Sequence, residues 1–147
     1  DLHHPIRMQK LVAGPLGPLM ARLANEKTYS RGLQEVMNKP PSAEELHQHW
    51  LATSRDGGKL GLPNLLGYIK ERRADEERWV GALTGTPEVP KRFIWGPEDP
   101  VSGAHVLPRI RSSVPNADIH VIEGVGHWPQ LEDVAAVAAA LRLRPSR

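Results

Sequence analysis

Apolar positions over residues 1 to about 86 recur every three or four places, the period of helices, and no convincing alternating strand interrupts them. Leu16, Leu19, Met20 and Leu23 follow the Gly14-Pro15 break at that spacing. Ser42-Ala43-Glu44-Glu45 is a capping box, and it opens a helix that carries Leu46 and Trp50 on one side. After Gly57-Gly58, Leu62, Leu65, Leu66 and Ile69 predict one helical run continuing into Lys70-Glu71-Arg72-Arg73. Trp79, Val80 and Leu83 repeat the pattern until Thr84-Gly85-Thr86-Pro87 ends it. The expectation is a layer of short helices with wet outer faces, Trp50 and Trp79 on their apolar sides.

From Pro90 the pattern changes. Arg92-Phe93-Ile94-Trp95 reads as a short strand, Gly96-Pro97 as a turn, and Val106, Leu107, Ile110 and Val114 as a helix. Ile119, Val121 and Ile122 predict a second strand before Gly124-Val125-Gly126-His127, and a last helix holds Val134, Val137, Ala138 and Leu141. Strand, helix, strand, helix is a βαβ order, which implies parallel pairing and an α/β class. Two parallel strands need more sheet and covered faces, so the rest of the sheet is expected from elsewhere. The organisation predicted is residues 1–86 as helices and connections, and residues 87–147 as a βαβα part.

Composition narrows the partners. Nineteen Lys+Arg against 17 Asp+Glu leave +2 with no long basic run, so no nucleic acid is expected as partner. Cysteine is absent, which excludes a disulfide framework, a thiolate nucleophile and a Cys-based zinc site. His47 and His49 stand two apart on a predicted helix and His3-His4 are adjacent, so neither pair can chelate one metal together, and no metal site is expected. No apolar stretch approaches the roughly 18 residues of a membrane span, and Asp1-Leu2-His3-His4-Pro5 is not a signal peptide. The start without Met, within what reads as a connecting segment, suggests a fragment or processed product.

In open α/β sheets functional residues gather at the carboxyl ends of the strands. Two loops stand there: Trp95-Gly96-Pro97-Glu98-Asp99-Pro100 after the first strand, and Gly124-Val125-Gly126-His127-Trp128-Pro129-Gln130-Leu131-Glu132 after the second. An acid after one strand and Gly-His about thirty residues on, after the next, resemble the triad acid and base of α/β-hydrolases. Further stretches extend the likeness over nearly the whole chain: His4-Pro5, Ser30-Arg31-Gly32-Leu33, Arg78-Trp79-Val80-Gly81-Ala82-Leu83, Trp95 through Val101, and Pro129-Gln130-Leu131-Glu132-Asp133. They resemble the capped α/β-hydrolases, most nearly the mesoderm-specific transcript family and its bacterial-type homologues, which stand with the epoxide hydrolases and haloalkane dehalogenases.

That resemblance implies a helical cap in residues 1–86 and the last two strands and helices of the hydrolase sheet in 87–147. It makes Asp99 the catalytic acid rather than its neighbour Glu98, because the family pattern Gly-x-x-Asp runs from Gly96 to Asp99, and it makes His127 the catalytic base, with Gly126 turning the backbone beside it. Epoxide hydrolases use cap tyrosines on the epoxide oxygen, which singles out Tyr68 as a substrate-binding candidate. Trp128, directly after the base, is a second one for an apolar pocket wall, while Trp95 reads as core. No cofactor is implied. The nucleophile elbow is absent, and Ser54-Arg55-Asp56-Gly57-Gly58, the nearest imitation, has no preceding strand and reads as a helix end. The partners expected are the N-terminal half of a hydrolase core and a small apolar or ester-like substrate, with an ester, epoxide or carbon–halogen bond as the target and this chain inactive alone. The alternative is a non-catalytic helical interaction module or an inactive truncated fragment.

Overall fold

The computed structural model describes residues 2–142. The chain passes between two units: Pro5–Glu35 and Pro41–Asp75 form one, while the residues through His4, the segment Val36–Pro40 and the chain from Glu76 onward form the other.

The first unit contains α1 (Arg7–Val12), α2 (Gly17–Leu23), α3 (Glu26–Gln34), α4 (Ala43–Ser54), a 3-10 stretch Arg55–Gly61, α5 (Leu62–Leu65) and α6 (Tyr68–Ala74). Local chemistry sets its helix starts. Asn25 Oδ1 accepts from Thr28 N at 3.1 Å to open α3, and Ser42 Oγ accepts from Glu45 N at 3.3 Å while Glu45 Oε2 accepts from Ser42 N at 2.8 Å to open α4. The Ser42 hydroxyl and amide hold the Glu45 carboxyl below its usual range. Helix α4 stops where Asp56 (φ 51°) and Gly57 (φ 76°) turn left-handed, so Ser54-Arg55-Asp56-Gly57-Gly58 is a helix end. Lys59 Nζ then donates to the carbonyls of Arg22 (3.0 Å) and Ala24 (2.8 Å), satisfying the C-terminal end of α2, and lies 5.8 Å over the Trp50 ring.

One expectation fails in this unit. The run from Leu62 to Ile69 is not one helix: Gly67 N turns back to Asn64 O at 3.0 Å and α6 starts afresh at Tyr68. The apolar stripe of α2, which the spacing marked without assigning it a side, is not the buried face. Leu16, Leu19 and Leu23 are 60%, 53% and 66% exposed, and Gly17 and Ala21 are buried instead. A Cβ on Gly17 would come 2.0 Å from Val12 O and 3.1 Å from Pro63 Cβ, so α2 approaches its neighbours through small residues.

The second unit holds α7 (Glu76–Thr84), β1 (Arg92–Trp95), a 3-10 turn Ala104–Val106 leading into α8 (Leu107–Ser113), β2 (Asp118–Val121), α9 (Pro129–Glu132) and α10 (Val134–Arg142). Strands β1 and β2 pair in parallel, Arg92 opposite Asp118 through Trp95 opposite Val121. Val101 and Val125, fully buried, form its centre with Leu107, Val114 and Ala140. Val36 and Met37, 5% and 8% exposed, add to the buried residues of this unit from a segment that sequence periodicity assigned to the helices.

The division at residue 86 therefore differs from the observed one, since α7 and Val36–Pro40 belong with the strands; residues beyond 142 of the 87–147 part lie outside the described residues. Every strand residue is half-buried and none is buried. Trp79 is 38% exposed rather than core, Trp95 is half-buried with its indole N–H donating to Gly103 O at 3.1 Å, and α10 leaves Val134 and Leu141 66% exposed. Among the described residues no helix is long and apolar enough to cross a membrane.

Candidate active site

The parallel register brings the two post-strand loops side by side. Gly96, the first residue after β1, packs against the second loop so closely that a Cβ there would lie 2.0 Å from Gly126 O, and Glu98 N donates to Val125 O at 3.1 Å. Asp99 follows with its side chain 8% exposed. Its Oδ1 accepts from Val101 N at 2.7 Å, and its Oδ2 lies 2.8 Å from His127 Nδ1. Glu98, the neighbouring carboxylate, is exposed.

Burial by itself would raise the Asp99 pKa, but the His127 ring, the amides of Val101 and Ser102 and the charge of a protonated His127 outweigh it and hold the carboxyl below its ordinary value. An ionised Asp99 can only accept, so Nδ1 of His127 carries the hydrogen and donates, which leaves Nε2 free to take a proton. A carboxyl with a depressed folded pKa contributes stability that is complete above its unfolded value of about 3.9 and is lost as pH falls through the folded one. Asp99→Asn is therefore expected to flatten the stability profile below about pH 4. Urea unfolding midpoints followed down through that range test this; the same acid slope in both proteins would refute it.

His127 sits in a tightly held loop. Its N–H donates to Val36 O at 2.9 Å, its side chain is 27% exposed, and the Trp128 ring meets it edge-on with centroids 5.5 Å apart at 81°. Trp128 itself is 37% exposed. The turn glycine is Gly124 (φ +72°), not Gly126. Gly126 is needed for close approach instead, because a Cβ there would come 2.6 Å from Val36 O and 3.0 Å from Asn38 N. Tyr68 lies in the other unit as the first residue of α6, half-buried, rather than in the middle of a long helix.

One residue escaped the sequence reading. Glu132 accepts from four backbone amides: Gly126 N (2.8 Å), Asn38 N (2.8 Å) and Lys39 N (2.9 Å) on Oε2, and Trp128 N (3.2 Å) on Oε1. Its only local signal was a place in a stretch with family likeness, since two of its partners lie 93 and 94 residues away.

A separate cleft of about 680 Å³ is lined by Leu83, Val89, Lys91, Val114 and Asp118 among others. It opens at the amino ends of the strands, the end opposite to Asp99 and His127. No group of three or more His, Cys, Asp or Glu suited to a metal occurs among the described residues.

Asp99 and His127 are thus hydrogen-bonded across the carboxyl ends of two parallel strands. The profile of the alpha/beta hydrolase family matches residues 4–140. This chain belongs to the alpha/beta hydrolase family. Within it, the chain is 37% identical over 139 residues to the mesoderm-specific transcript homolog protein of Bos taurus, covering 90% of this chain and 41% of that one. A protein of Mycobacterium tuberculosis named "Putative hydrolase LipZ" is 37% identical over 137 residues, covering 90% of this chain and 46% of that one. The 2-hydroxy-6-oxononadienedioate/2-hydroxy-6-oxononatrienedioate hydrolase of Burkholderia vietnamiensis is 29% identical over 154 residues, covering 89% of this chain and 51% of that one. The chain thus spans about two fifths to a half of the length of these relatives.

Proposed function

We propose that this chain supplies the acid and the base of an α/β-hydrolase triad, Asp99 and His127, to a hydrolase whose nucleophile and further strands lie outside these 147 residues. The observation that carries the reading is the 2.8 Å contact between Asp99 Oδ2 and His127 Nδ1 at the carboxyl ends of adjacent parallel strands. Half-buried strands and the partial span of the relatives support the second clause.

In this mechanism Asp99 fixes the tautomer of His127 and stabilises the imidazolium, while Nε2 removes a proton from water as it attacks an enzyme-bound ester. Trp128 lines an apolar wall beside the base. The substrate is a small apolar molecule with an ester, epoxide or carbon–halogen bond. Family resemblance along the chain favours an Asp nucleophile, which forms an alkyl-enzyme ester from an epoxide or haloalkane.

Single turnover of the complete hydrolase in heavy-oxygen water tests the mechanism. With an Asp nucleophile the label enters the enzyme carboxylate and the first product carries unlabelled oxygen; with a Ser nucleophile the acid product is labelled at once. Label appearing directly in the alcohol product of an epoxide or haloalkane substrate would refute the Asp route.

A further inference from the structure

The loop that bears His127 is held by a carboxylate that no step of the proposed chemistry uses. Three successive amides point outward from it: Gly126 N to Glu132 Oε2 at 2.8 Å, His127 N to Val36 O at 2.9 Å, and Trp128 N to Glu132 Oε1 at 3.2 Å. The His127 amide fixes the peptide plane before its Cα, and the Trp128 amide fixes the plane after it. Together they set φ and ψ of His127 and so the direction of its Cα–Cβ bond. The bond to Asp99 then needs only to select a rotamer.

Glu132 extends this hold to Val36–Pro40, because Oε2 also accepts from Asn38 N at 2.8 Å and Lys39 N at 2.9 Å. Asn38 completes the tie from the other side, its Nδ2 donating to Gly124 O at 2.9 Å. The segment that provides the Val36 acceptor for His127 is thus held in place by the same side chain that bonds the amides flanking His127. Ionised carboxylates suit such a junction: they accept along several directions and donate along none, and their bonds to backbone amides are the stronger, charge-assisted kind.

We propose that Glu132 is the positioning residue of the His127 base, a single carboxylate joining both flanks of that residue to Asn38 and Lys39. The inference rests on the reading of Asp99 and His127 as a catalytic pair. It assigns Glu132 a role through four backbone amides and no contact with substrate. Gln at this position keeps the shape but turns an amide NH2 toward one of the four N–H groups. Asp keeps the charge but is one methylene too short to reach both flanks.

The test follows the His127 Nδ1 proton by NMR in the complete hydrolase, with Glu132→Gln, Glu132→Asp and Asp99→Asn compared by circular dichroism to establish that each is folded. The unsubstituted hydrolase is expected to show a low-field Nδ1 resonance protected from solvent exchange. In a folded Glu132→Gln or Glu132→Asp hydrolase that resonance should broaden or vanish, and amide exchange at Asn38, Gly126 and Trp128 should quicken about tenfold. A lost resonance in either folded variant supports positioning, because removing a charge would not by itself break the bond to Asp99. If both folded variants keep it while Asp99→Asn removes it, Glu132 is merely structural and the proposal falls alone. If the unsubstituted hydrolase shows no such proton, or Asp99→Asn leaves it in place, the catalytic pair fails and takes the proposal with it.

Discussion

In the complete hydrolase, His127→Gln is expected to trap a covalent ester on an Asp nucleophile and to slow product release from it by about 10⁴-fold or more. The reason lies in what the base does in each half of the reaction. An ionised Asp attacks an epoxide or haloalkane carbon without giving up a proton, so the first step does not require the histidine. Hydrolysis of the ester does, because water must be deprotonated as it attacks. Removing Nε2 as an acceptor therefore leaves ester formation running into a closed exit. A Ser enzyme behaves otherwise: its hydroxyl needs the histidine before it can attack, so the same variant accumulates nothing. Intact-mass measurement of the variant after exposure to substrate distinguishes the two, an adduct mapped to an Asp supporting the Asp route and an unmodified protein with a proven substrate excluding it. Asp99→Asn belongs to the same experiment. Its amide can donate to Nδ1 and so favour the tautomer with the hydrogen on Nε2, which is the wrong one for a base, and a loss near 10⁴-fold is the size seen for such a change in a triad.

Gly96→Ala is expected to lower stability by about 3 kcal/mol, the upper part of the ordinary range for overpacking. A Cβ at Gly96 would stand 2.0 Å from Gly126 O and 2.8 Å from Val125 O, and both obstacles are backbone that no rotamer change can move aside. Relief requires separating the Asp99 loop from the His127 loop, which strains the Glu98 N to Val125 O bond and the Asp99 to His127 contact together. The melting temperature should fall by roughly 6 to 12 °C for a chain of this size. Gly61→Ala is the matched control: Gly61 has φ −79°, and its Cβ would meet nothing within 4 Å. That substitution should be neutral or stabilising by about 0.4–1 kcal/mol, through a less flexible unfolded chain. Calorimetry on the two variants checks the contrast, and equal melting temperatures would show that the loops are not packed as described.

The chain alone determined whatever depends on neighbours a few residues apart. The capping box at Ser42 and Glu45 forms because its partners are three residues apart, and β1 occupies Arg92–Trp95, the run its apolar residues marked. Strand order announced the α/β class and the loops after the strands held Asp99 and His127 because parallel strands end on one side, whereas the choice of Asp99 over Glu98 rested on the family resemblance and the 2.8 Å contact on folding. Other features needed partners far along the chain. Nothing near Val36 or Met37 says that they pack with residues after Glu76, and nothing near Glu132 announces bonds to Asn38 and Lys39. Periodicity found the apolar stripe of α2 but not which face would be covered, because Gly17 and Ala21 allow a backbone approach that Leu16, Leu19 and Leu23 do not. Close approach likewise, not turn conformation, explains Gly96 and Gly126. Local hydrogen bonds and hydrophobic period can be read from adjacent residues, whereas the identity of a distant acceptor or a touching carbonyl exists only once the chain has folded.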